Sequence, residues 1–113
     1  MVEEVEHWFN VLSPADRALA PAAIDLLRDR GPLLGRPLVD RITRSKLHNL
    51  KELRPGSTGT TEVRLLFVFD PKRRAVPLVG GDKSGRWQDW YKTNIPLAEQ
   101  RYERWLNNNN SPL

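Results

Sequence analysis

Cationic side chains dominate the chemistry available to this chain. It holds 18 lysines and arginines against 14 acids, two histidines (His7 and His48) and no cysteine. Without cysteine there is no thiol catalysis, no disulfide framework, no iron–sulfur cluster and no cysteine-bound zinc. Two histidines do not make a metal site, so no metal and no cofactor is expected. The sequence has no Walker-type phosphate loop, no His-Glu-x-x-His and no serine elbow. Gly80-Gly81-Asp82-Lys83 is at most a weak phosphate-binding turn. What remains is phosphate chemistry by arginine and lysine. A guanidinium forks onto a phosphate with two donors, and an ammonium acts as a point charge.

Lys51, Arg54, Arg64, Lys72, Arg73, Arg74, Lys83 and Arg86 all lie in or beside one stretch of strands. Arg64 sits mid-strand between Val63 and Leu65, so it should point away from the core onto an exposed sheet face. The plain alternative is a solvated cation on an open sheet. In the strand ending at Arg54, alternation puts His48, Leu50, Glu52 and Arg54 on one face and Lys51 on the other. Glu52 could act as a general base or simply solubilise. Trp87, Trp90 and Tyr91 have helical spacing; such stripes are more often core, yet Trp87 or Tyr91 could stack on a base beside the cations.

Several elements must position these residues. Val5, His7 and Phe9 alternate with Glu4, Glu6 and Trp8, which predicts a short first strand. Ser13-Pro14 opens an amphipathic helix carried by Ala15, Ala18, Leu19, Ala22, Ala23, Leu26 and Leu27. Pro21 should kink or divide it, and Gly31-Pro32 should stop it. Residues 31–46 read as a loop with one ordered turn near Leu38–Ile42, and 47–54 as a strand. Pro55 to Gly59 is a turn, and Glu62 to Asp70 is the clearest strand. Asp70-Pro71-Lys72-Arg73 turns the chain into a strand over 75–80, where Pro77 marks an edge or a bulge. A helix starts near Arg86, is restarted or kinked at Pro96, and frays in the polar tail from Asn107. The order gives an α+β domain with an antiparallel sheet and helices on one face.

At 113 residues the chain is one domain's worth, able to bury roughly two thirds of its unfolded surface. Hydrophobic residues at 39% and charged residues at 28% are ordinary for a globular protein. No apolar run approaches a membrane span, and the start Met1-Val2-Glu3-Glu4 is acidic where a signal peptide is basic, so a cytoplasmic protein is expected. The net charge of +4 is unevenly spread: residues 1–27 carry −4, residues 28–54 carry +5 and residues 71–92 carry +4. Two basic blocks of this kind point to an anionic partner.

Three stretches in this order resemble a known family. They are Gly31-Pro32-Leu33-Leu34-Gly35-Arg36-Pro37 with His48 to Arg54; Arg64 to Pro71; and Gly80-Gly81-Asp82-Lys83 with Trp87, Trp90 and Tyr91. Together they resemble the RelE/HigB-type toxins of bacterial type II toxin–antitoxin pairs, in the phage-derived HigB-like branch of the RelE/ParE superfamily. The resemblance covers about residues 5–106. It implies a compact α+β domain over 1–113 with a curved antiparallel sheet, N-terminal helices packed on one face and a C-terminal helix. It implies an mRNA endonuclease that enters the ribosomal A site beside 16S rRNA, and a cognate antitoxin of helix-turn-helix type.

By the same resemblance, Arg64 matches the arginine that contacts the scissile phosphate, Lys83 a further catalytic cation, and Tyr91 or Trp87 the aromatic beside the cut nucleotide. The second-strand lysines of the RelE type are poorly reproduced by Lys51, Glu52 and Arg54. Attack of a ribose 2′-hydroxyl on the adjacent phosphate needs no metal, only a proton acceptor, cations around the phosphorane and a proton for the leaving oxygen. Arg64 and Lys83 would hold the charge. Arg54 or Arg73, with Lys72, Arg74 and Arg86 beside them, would hold the RNA. Lys51, Glu52 or His48 would be the base. The rivals are a ParE-like toxin that binds DNA gyrase and cuts nothing, and an inactive module that binds antitoxin or nucleic acid.

Overall fold

The computed structural model describes residues 3–56, 61–85 and 87–109. Its elements run α1 (Glu3–Asn10), α2 (Pro14–Arg30), a single 3-10 turn (Gly31–Leu33), β1 (Val39–Arg41), β2 (Lys51–Leu53), β3 (Val63–Phe69), β4 (Ala75–Asp82) and α3 (Trp87–Asn109). The four strands form one antiparallel sheet in the order β1-β2-β3-β4. This is an α+β fold.

The first element is a helix, not the strand that alternation predicted. Glu3, Glu4 and Glu6 crowd its first turn, where the positive end of the helix dipole favours acids. Val5 is buried, and Trp8 and Phe9 follow it at helical spacing on the partly buried side. That face outweighs the weaker period of two.

α2 begins as expected. The Ser13 hydroxyl accepts a hydrogen bond from the Asp16 amide at 3.2 Å. The helix ends at Gly31, whose φ of +56° suits glycine and whose amide donates to the Leu27 carbonyl. It runs through Pro21 undivided, and α3 likewise runs through Pro96. Both prolines are exposed, so the carbonyls they leave without a helical partner can turn to water. The loop expected over 31–46 contains β1, paired Val39 to Leu53 and Arg41 to Lys51.

β3 is the central element and carries most of the core: Leu66, Phe67 and Val68 are fully buried. Both of its faces are covered, which corrects the expected open face at Arg64. The two adjacent glycines of β4 show why. A Cβ on Gly80 would fall inside the ring of Trp8 in α1, and one on Gly81 inside the indole of Trp90 in α3. Successive strand residues face opposite ways, so α1 and α3 lie on opposite sides of the sheet. Pro77 meets both of its expectations. β4 is an edge strand, and the pairing jumps from Leu66–Val79 to Phe67–Pro77, leaving Leu78 as the extra residue of a bulge. The helices are joined outside the sheet, where Glu4 pairs with Arg104 at 2.7 Å and Arg101 at 3.5 Å. Most of the turn at 55–59 and the end of the polar tail lie outside the described residues, and α3 extends to Asn109.

Candidate active site

On the α3 side of the sheet the short β2 aims Glu52 inward, next to Leu66 of β3. The Glu52 side chain is 1% exposed, and three residues close on it, one just past β2, one from β3 and one from α3. Arg54 Nε donates to Oε1 at 2.9 Å. Arg64 Nε lies 3.4 Å from the same oxygen in an ion pair, and its Nη1 donates to the Val63 carbonyl at 2.8 Å. The Tyr91 hydroxyl, from the first turns of α3, donates to Oε2. Lys83 follows β4, and its Nζ donates to the Tyr91 hydroxyl oxygen at 3.2 Å while lying 5.2 Å from the ring centre. A second acid stands behind the group: Asp40 of β1 accepts from Arg54 at 3.3 Å and from Arg36 at 3.0 Å.

The electrostatics follow from this packing. Burial pushes the Tyr91 phenol up, and its bond to Glu52 pushes it further, so it stays a neutral donor. Burial pulls the Lys83 ammonium below its ordinary range, and the nearby positive charge of Arg64 adds to this. The hydrogen bond to Glu52 holds Arg54 firmly charged. Arg36, by its hydrogen bond, keeps Asp40 ionised below the usual carboxylate range. The result is a buried carboxylate ringed by net positive charge, with one lysine that gives up its proton more readily than most. Among the described residues no cluster of histidines and acids is placed to hold a metal ion.

Arg54, Arg64, Lys83 and Tyr91 therefore come together. Lys51 does not: it projects from the other face, with Nζ 5.5 Å from the ring centre of Phe69. This is the split that strand alternation predicted, and it removes Lys51 from the site. His48 lies exposed in the turn before β2 rather than on the strand, so it does not join the face of Glu52 and Arg54. Lys72, Arg73 and Arg74 are exposed on the β3–β4 hairpin. That hairpin is at the far end of β3 from Arg64, six residues or roughly 20 Å along the strand. Arg86 and the side chain of Trp87 lie outside the described residues. Trp90 is buried against Gly81 and belongs to the core.

Sequence reasoning weighed Glu52 as a base or a solubilising group and missed its role as the anchor. Both of its oxygens are occupied, which argues against its acting as the base. Asp40, Arg36 and Arg44 were not singled out at all. Asp40 lies in the Leu38–Ile42 stretch that the sequence marked as ordered, and its Val39–Arg41 part pairs with β2, which sets Asp40 opposite Glu52.

The model of the phage-derived, Gp49-like protein family (DUF891) matches residues 7–103. The chain belongs to this family. A curated relative, "Putative toxin HigB3" of Mycobacterium tuberculosis, is 51% identical over 106 residues, spanning 94% of this chain and 90% of the relative. A second, "Putative toxin HigB2" of the same organism, is 47% identical over 105 residues, spanning 93% of this chain and 52% of the relative. No solved structure matches the chain significantly. The Gp49-like membership and these names agree with the HigB-type resemblance read from the sequence. The matched span of this Gp49-like chain contains every member of the Glu52 cluster. No helix among the described residues is long and apolar enough to cross a membrane.

Proposed function

We propose that this protein, as one domain over its whole length, is the toxin of a toxin–antitoxin pair. In this reading it is an endoribonuclease that cuts mRNA at the ribosomal A site in the cytoplasm, and a helix-turn-helix antitoxin neutralises it. The observation that carries the reading is the convergence of Arg54, Arg64 and Tyr91 on one buried carboxylate, with Lys83 held against the Tyr91 hydroxyl. The toxin names of the two relatives support its first half.

The scissile phosphate binds against Arg64 and Arg54. The ribose 2′-hydroxyl attacks phosphorus, its proton passing to solvent, and charge builds on the phosphorane oxygens. Two guanidiniums already fixed by Glu52 meet that charge without reorganising. Lys83, with its lowered proton affinity, gives a proton to the leaving 5′-oxygen. Tyr91 holds the Lys83 head group in place through its hydroxyl. The chain end left behind carries a 2′,3′-cyclic phosphate.

The test is induced expression in a bacterium with transcript 5′ ends mapped against reading frame, for wild type and Arg64→Ala. New ends inside translated frames, absent in the variant, are expected. Growth arrest with intact transcripts would overturn the nuclease and favour a gyrase-binding toxin. Normal growth with intact transcripts would leave only a binding module.

A further inference from the structure

Tyr91 is shared between two places. Its hydroxyl belongs to the Glu52 cluster, while its flank walls a separate pocket of about 470 Å³ between the 44–46 bend and α3. That volume lies within the range of small-molecule sites. The outer wall is tied down rather than loose: the Glu99 carboxylate of α3 accepts from Ser45 Oγ at 2.7 Å and from the Lys46 amide at 2.6 Å. The bend is thereby held at a fixed distance from the helix, and the pocket is preformed.

The lining has the composition of a nucleotide site. Tyr91, Ile95 and Pro96 give an apolar and aromatic wall suited to the flat face of a base. Arg44 and Lys92 are exposed cations at the rim, and the Arg44 guanidinium stands 5.7 Å from the Tyr91 ring centre. Asp89 also lines the pocket, is exposed, and makes no ion pair or hydrogen bond with any described residue. A carboxylate there only accepts, so it matches an amino group on a base edge, as acids match the cytosine amino group elsewhere. Uracil offers a carbonyl at that place and would face Asp89 with like polarity.

We infer that this pocket holds the nucleotide next to the cleaved bond, with its phosphate on Arg44 and Lys92 and its base edge at Asp89, and that it favours a base bearing an exocyclic amino group. The inference rests on the nuclease reading for the identity of the strand, because Tyr91 joins the pocket to the phosphate cluster.

The test uses the isotope-labelled full-length protein titrated with two 2′-O-methyl trinucleotides, of cytidine and of uridine. Neither carries a free 2′-hydroxyl, so neither is cut. Amide resonances of residues 44–46 and 88–92 should shift, and cytidine should bind about fivefold more tightly, the worth of one hydrogen bond. Asp89→Asn should shrink that ratio to about twofold or less, since the amide can turn either a donor or an acceptor to the base. Equal affinities in the wild type, or shifts confined to the 72–74 hairpin, would overturn the pocket. The two readings fail separately. Cytidine preference without cuts in transcripts breaks only the nuclease, and transcript cuts with equal affinities break only the pocket.

Discussion

Two basic regions of this protein use arginine in opposite ways. At the Glu52 cluster, Arg64 is 15% exposed and fixed against a carboxylate that is almost wholly buried. At the β3–β4 hairpin, Arg74 is 63% exposed even though it pairs with buried Asp70 at 2.8 Å, and Lys72 and Arg73 are exposed beside it. Along the sequence the two blocks look alike. In space the first has already lost its rotamer freedom, whereas Lys72 and Arg73 of the second must lose theirs on meeting an anion. Density of charge alone therefore says little about chemistry. Several side chains from different parts of the chain sharing one buried acid, rather than one exposed arginine held by its own, is what separates a preorganised cluster from a solvated surface.

The largest expected difference is catalytic. Arg64→Ala should lower ribosome-coupled cleavage by roughly 10²–10³-fold, as removal of one transition-state donor does elsewhere. Replacing Lys72, Arg73 and Arg74 together with alanine should cost less than about 10-fold and should mainly flatten the salt dependence of binding. Equal losses in a purified ribosome and message assay would erase the distinction between the regions.

Next comes stability. Glu52→Ala leaves the mostly buried Arg64 without its anion and Arg54 with Asp40 alone. It should destabilise the fold by about 3 kcal/mol, read from urea unfolding. Adding Arg64→Leu to that variant should restore part of the loss, because the unpaired charge goes with it. A Glu52→Ala variant as stable as wild type would mean that the acid anchors nothing.

A pH profile sharpens the comparison further. Lys83 has its folded proton affinity lowered from an ordinary 10.5, first by burial and then by Arg64. A required protonated Lys83 makes cleavage fall as pH rises through that lowered value, so the alkaline limb should lie below the ordinary lysine range. Lys83→Arg should move the limb upward. For stability the sign is reversed: the folded state sheds the proton first, so stability rises with pH between the lowered value and 10.5. An alkaline limb unchanged in Lys83→Arg would take Lys83 out of proton transfer.

The smallest effect belongs to the hairpin. Arg73 adopts φ of +65°, a conformation that suits glycine better than arginine. Arg73→Gly should raise stability by about 1 kcal/mol in the same unfolding assay and leave cleavage within about twofold.

The long, strongly patterned elements were legible in the sequence: α2 with its Ser13 cap, β3, the turn at Asp70 and α3. The short ones were not. α1 has eight residues, and its polar positions also fit alternation; only the burial of Val5 against the sheet decides the period. β1 has three residues and none of the usual strand run. At the site, alternation separated Lys51 from Arg54 correctly. It could not show that Glu52 is buried, because that depends on α3 arriving from 39 residues away with Tyr91. Convergence of Arg54, Arg64 and Lys83 is likewise a property of the sheet register, Glu52 opposite Leu66 and Arg64 opposite Gly81.

The glycine pair of β4 has one more effect, on tolerances within the molecule. With only hydrogens at 80 and 81, the sheet is thinned just where the two indoles press on it from either side. The depth to which Trp90 sinks sets the height of α3, and the very next residue is Tyr91. Two residues after Gly81 the chain delivers Lys83. The gap between ammonium and phenol is thus gauged by missing methyl groups at a point that touches neither, much as a shim sets the clearance between two bearings.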